Sequence, residues 1–138
     1  MRHSADMHTL LVVTALLEGL TGLALVALPS RLAALLLGSS LDAPAALTLA
    51  RVAGVALAAL ALTCWLTRHD GPSRAARGLV AAMALYHTGV AIVLAYASIG
   101  LALNGLGLWP TVLFHAAMTI WCVRVRSIPL LLTAVRRP

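Results

Sequence analysis

The chain has 138 residues, of which 62% are hydrophobic and only 10% charged, against roughly 45–50% and 25% in typical soluble domains. One domain of that size has too little interior to hide so much apolar surface from water, which excludes an ordinary soluble fold and points to lipid as the solvent. Its ten basic residues, all arginine, exceed its four acids to leave a formal charge of +6, yet they flank apolar segments instead of forming a basic face with aromatic stacking partners, so nucleic acid is not an expected partner.

The first predicted helix covers residues 9–28 and ends at Pro29. At about 20 residues it is long enough to span a bilayer; it carries Glu18 and lacks a small-x-small cleavage site, so it reads as a span and not a signal peptide. The stretch "PSRLAALLLGSS" predicts a turn or two of amphipathic helix lying at the outer interface. A second span covers residues 45–67 after "LDAP", where Asp42 is expected to cap the helix and Pro44 suits its first turn. A third covers residues 79–103 and stops at "NGLG", a tight turn. The fourth covers residues 108–123, with Trp109 at the interface and Pro110 tolerated in the first turn. The tail "SIPLLLTAV" is too short to cross and is expected on the inner leaflet. Only helices and closed barrels can satisfy the backbone in lipid, and uninterrupted apolar runs exclude the alternation of a barrel. The predicted fold is all-α: one domain, residues 1–138, forming an antiparallel four-helix transmembrane bundle.

Arginine placement orients it. Arg2, Arg68, Arg74, Arg77, Arg124, Arg126, Arg136 and Arg137 share the side of the termini and the "RHDGPSRAAR" loop. The other side has Arg31 in its loop, with Arg51 inside the second helix. The positive-inside rule then predicts a multi-pass protein of the cytoplasmic membrane with both termini in the cytoplasm.

Four ionisable residues fall within the spans: Glu18, Arg51, His87 and His115. Such residues are costly in lipid and normally turn inward. At a rise of about 1.5 Å per residue, Glu18, His87 and His115 each lie about 14–15 Å from the cytoplasmic ends of their helices, close to the midplane. Arg51 sits roughly 10 Å in from the outer side, where its long side chain is expected to reach Glu18. Polar or small residues share these faces: Thr14, Thr21 and Gly22 with Glu18, Thr111, Thr119 and Cys122 with His115, and Gly54, Ala58 and Ala61 with Arg51. On the third helix the neighbours of His87 are apolar.

Four readings of this interior network stay open. It is a structural element, with Glu18 paired to Arg51 and the histidines bonded to Tyr86, to threonines or to each other. It handles protons or substrate through Glu18, His87 and His115. It holds zinc or iron on those three residues, although no HxxxH or ExxH spacing supports a metal and none is assigned. Or His87 and His115 ligate haem, for which no further signature exists, so no cofactor is assigned. Cys64 and Cys122 form no CxxC and read as small packing residues. No nucleophile–base pair points to catalysis, so no catalytic residue and no enzyme activity are expected.

Taken in order, "EGLTGLALVALPSRLAALLLG", "LARVAG", "YH" and "FH" resemble the small DoxX-like four-helix membrane proteins. That resemblance covers residues 8–124 and implies a respiratory or thiol-redox accessory role, although the paired-cysteine motif is missing. The placement of Glu18 in "LLVVTALLEGLTGLAL" is also similar to the small multidrug transporters, which carry one glutamate in their first helix. The expected function is structural or accessory, with the bilayer and a larger membrane complex or homo-oligomer as partners. The alternative is a small proton-coupled transporter using Glu18.

Overall fold

The computed structural model describes residues 2–71 and 73–135, with side chains described for residues 5–71 and 73–126. Among these the chain is helical and has no strand: α1 (Arg2–Ala27), α2 (Pro29–Leu37), α3 (Pro44–Thr67), α4 (Arg74–Leu101) and α5 (Leu108–Val135). Four stretches are long and apolar enough to cross a bilayer: Ala5–Ala27, Pro44–Thr67, Arg74–Leu101 and Leu108–Arg126. This is the all-α, four-span bundle that the sequence predicts, with α2 bridging the first two spans.

Each boundary has a local cause. Leu28, held out of the helical region before Pro29 (φ −135°, ψ 50°), separates α1 from α2. Gly38 closes α2 in the left-handed conformation (φ 72°), its N–H donating to Ala34 O at 3.0 Å. Pro44 opens α3 as expected, but Asp42 does not cap it. The N-cap is Ala43, and the Asp42 carboxylate instead accepts from Ser40 Oγ at 3.1 and 3.2 Å. Helix α4 starts at Arg74, ahead of the expected residue 79, because Ser73 Oγ accepts the Ala76 N–H (3.1 Å) and caps it. It stops at Leu101, where Ala102 turns left-handed (φ 55°). Helix α1 begins at Arg2 and not residue 9, with Met7 already buried. Helix α5 runs past residue 123 to Val135 and takes in the segment expected as a separate tail; the side chains of that segment, and its placement on a leaflet, lie outside the described residues.

The four spans pack as two antiparallel pairs, α1 on α3 and α4 on α5. The first pair meets backbone to backbone. A Cβ added to Gly54 would lie 2.6 Å from Gly22 O, and one added to Gly22 would lie 2.7 Å from Gly54 O. Small residues at such a crossing allow the close approach that stabilises helix pairs in lipid. The α4–α5 turn is pinned across α2: Gly105 N–H donates to Leu36 O (3.2 Å) and Gly107 N–H to Leu35 O (2.9 Å). A side chain at 105 would collide with Leu35 O, so only glycine fits there.

At the opposite end the His8 and His69 rings stand 4.9 Å apart, setting the start of α1 beside the α3–α4 connection. That half of the bundle is filled by a core that includes Leu10, Leu11, Cys64, Met83, Met118 and Cys122. Both cysteines are free buried thiols, with Cys64 Sγ donating to Met83 Sδ at 3.6 Å. The outward faces carry exposed Leu49, Leu85 and Ile99, as a lipid-facing surface should.

Candidate functional site

Helical periodicity selects what points inward. On α1, Thr14 and Glu18 are buried four positions apart; on α4, Val80, Met83 and His87 share one buried stripe; on α5, Val112, His115, Met118 and Cys122 do the same. The apolar neighbours of His87 therefore mark a core face, and they turn the imidazole inward with them. The result is a polar cluster at the seam between the helix pairs: Glu18 from α1 faces Tyr86 and His87 from α4 and His115 from α5.

Tyr86 OH donates to Glu18 Oε2 at 2.8 Å. His87 Nδ1 lies 2.8 Å from His115 Nδ1, so one ring donates its N–H to the other. Glu18 Oε1 is 4.0 Å from His87 Nδ1. His87 is wholly buried, Glu18 3% exposed and His115 7%. The edge of Phe114 closes on the His87 ring at 89°, and Tyr86 meets His115 edge-on at 77°. Thr119 Oγ1 bonds the His115 carbonyl (3.0 Å) and lies 3.3 Å from Thr88 Oγ1, which ties α5 to α4 one turn away. Two buried atoms, His87 Nε2 and Thr14 Oγ1, have no hydrogen-bond partner among the described residues.

Three of the four expected interior residues meet; Arg51 does not. Its side chain is exposed on α3, with Nε donating to Val26 O at 3.3 Å. Val26 lies in the last turn of α1, where backbone carbonyls lack helical partners and attract a cation. The expected Glu18–Arg51 pair is thus replaced by Glu18–Tyr86, and Arg51 leaves the interior network. Tyr86 is the residue the sequence reading assigned only to the histidines. Its adjacency to His87 was the available signal, since neighbours on a helix lie about 100° apart and can flank a single acceptor on a facing helix.

A cavity of about 350 Å³ lies against this cluster, between α1, α2 and α5. Leu32, Leu35 and Leu36 of α2, with Pro110 and Phe114 of α5, form apolar walls; Glu18, Tyr86 and His115 stand at the inner end. His115 follows Gly107 by eight positions along α5, a depth of roughly 12 Å. On the side of the termini the same cluster is sealed by Leu11, Met83 and Met118.

Two of the open readings can be weighed on geometry. The histidine rings touch through their Nδ1 atoms, which leaves no slot for a porphyrin between them. By contrast, one donor atom each from Glu18, His87 and His115 lies within 4.8 Å of the other two, a grouping able to hold a metal ion. Spacing along one helix had no means of revealing it, because the three residues come from three helices. The chain matches no protein-family model, no curated protein and no solved structure.

Proposed function

We propose that the protein is an accessory membrane protein that holds a small amphipathic guest, its apolar body against α2 and α5 and its polar head at Glu18, Tyr86 and His115. The observation that carries this reading is the cavity, which sets Glu18, Tyr86 and His115 against apolar walls. A volume near 350 Å³ falls at the small end of ligand pockets, which run about 300–1,000 Å³. Thr111→Trp tests it by filling the cavity from α5. Native mass spectrometry of the detergent-purified protein is expected to show a small molecule retained by the wild type and lost from this variant. A wild-type protein carrying nothing, with a spectrum matching that of Thr111→Trp, would sink the reading.

As an accessory protein it acts with a larger membrane complex or a second copy of itself, and the DoxX-like resemblance supports the same role. No bond-making step is part of this proposal. The arginine asymmetry supports the cytoplasmic membrane with both termini inside, which puts α2 and the cavity in the outer half of the bilayer. Reporter fusions within residues 68–77 and at the C terminus should both read cytoplasm, and one at residues 39–42 the outside; a cytoplasmic reporter at Ser40 overturns the orientation.

The presence of Glu18 in the cavity lining also favours a second reading, proton-coupled transport through that residue. A carrier with a central acidic residue exposes it to one side at a time, and here the terminal half of the bundle is closed below it.

A further inference from the structure

We propose that Glu18 Oε1, His87 Nδ1 and His115 Nδ1 form a buried site for one divalent transition-metal ion of the zinc class. Donor chemistry comes first. Two imidazole nitrogens and one carboxylate oxygen are the ligand set of open, three-ligand zinc sites, which keep a fourth position for water or another ligand. The same set serves iron(II).

Distances agree with a site whose donors need to turn, with no shift of the helices. Imidazole nitrogens bound at about 2.0–2.1 Å to one ion lie roughly 2.9–3.4 Å apart for bond angles between 90° and tetrahedral. The two Nδ1 atoms already stand at 2.8 Å, and each ring must turn by roughly 45° for its lone pair to leave the N–N line and meet the other at one ion. Glu18 Oε1, at 4.0 Å from His87 Nδ1 in a grouping whose donors all lie within 4.8 Å of one another, must swing toward both histidines to join the same range. Tyr86 holds the other carboxylate oxygen at 2.8 Å, leaving Oε1 as the oxygen turned to the histidines. Such outer hydrogen bonds orient metal ligands. Glu18 and His115 also line the cavity, so the fourth position faces it and an exogenous ligand has a path in.

Protons balance within the rings. In the empty site one Nδ1 carries the hydrogen shared between the rings; on metal binding that hydrogen passes to Nε2 of the same ring, and both Nδ1 lone pairs reach the ion. His87 Nε2 then carries an N–H with no acceptor among the described residues. A missing outer partner of this kind costs about 10–100-fold in affinity, so the site is expected to bind more weakly than one with a complete outer shell. The metal site stands whether or not the cavity takes an organic guest.

Cobalt(II) is the probe, added to tag-free, chelator-stripped protein in detergent, with fold checked by circular dichroism and gel filtration. One equivalent per chain should bind and give visible d–d bands of a four- or five-coordinate ion, displaced by zinc. His87→Gln and His115→Gln should each weaken binding by about 10-fold or more. The double variant His8→Asn/His69→Asn, which removes the other close histidine pair, should leave the bands unchanged. Three results overturn the proposal: no bands at millimolar cobalt with folded wild type, bands that survive in folded His87→Gln/His115→Gln, or bands lost with the His8/His69 pair. Wild-type spectra alone decide the first, so a variant that fails to fold does not protect the idea.

Discussion

Gly54→Leu is expected to separate α1 from α3 and abolish recovery of monodisperse protein from detergent extracts. Even a methyl at this position would sit 2.6 Å from Gly22 O and 2.9 Å from the Leu25 and Val26 side chains. The first of these neighbours is backbone and cannot step aside without moving the helix. Overpacking inside a protein typically costs about 1–3 kcal/mol; a leucine here exceeds that range, because it must displace a whole helix from its closest contact. Gly54→Ala should lower thermal stability measurably. Gly89→Ala is the control: a Cβ there meets nothing within 4 Å, and losing a mid-helix glycine is neutral or stabilising by up to about 1 kcal/mol. If Gly54→Leu and Gly89→Ala behave alike, the close crossing of α1 on α3 is wrong.

Glu18→Leu should have the second-largest effect. It leaves the Tyr86 hydroxyl without its acceptor and removes the carboxylate from beside His87. An unsatisfied polar group of this kind costs about 1–3 kcal/mol. Glu18→Gln keeps an acceptor for Tyr86 and should retain most of the stability, and Tyr86→Phe/Glu18→Leu should be no worse than Glu18→Leu alone. Interhelical hydrogen bonds in membranes average about 0.6 kcal/mol in double-mutant cycles and reach about 1.7. A coupling near zero between positions 18 and 86, measured by unfolding in mixed micelles, would remove their hydrogen bond as a stabilising contact. The same Glu18→Gln variant, folded and reconstituted in vesicles, separates the two functional readings. Loss of proton-linked solute movement supports the carrier; movement at the wild-type rate takes Glu18 out of the coupling.

The four spans were legible because length and hydropathy are properties of each segment alone. So was the shared depth of Glu18, His87 and His115, which needs only a residue count from each helix end. Contacts between side chains were less so. Arg51 matches Glu18 roughly in depth, but depth says nothing of rotation, and a free carbonyl in the last turn of α1 competes for the guanidinium. Asp42 looked like a cap from its place before Pro44, whereas a serine two residues away takes its carboxylate. Ser73 was the reverse: a true cap hidden in a charged loop. The cavity was invisible in the sequence, since it depends on how α2 and the pinned Gly105–Gly107 turn roof the space above the cluster.

The seam between the helix pairs also sets a problem of timing. Glu18 is made early, while Tyr86, its hydrogen-bond partner, follows 68 residues later. At about 5–20 residues per second that interval lasts roughly 3–14 s. During it α1 and α3 can already cross at Gly22 and Gly54, since neither helix waits for α4. The newborn hairpin therefore carries an unpartnered carboxyl at its flank until the second hairpin arrives.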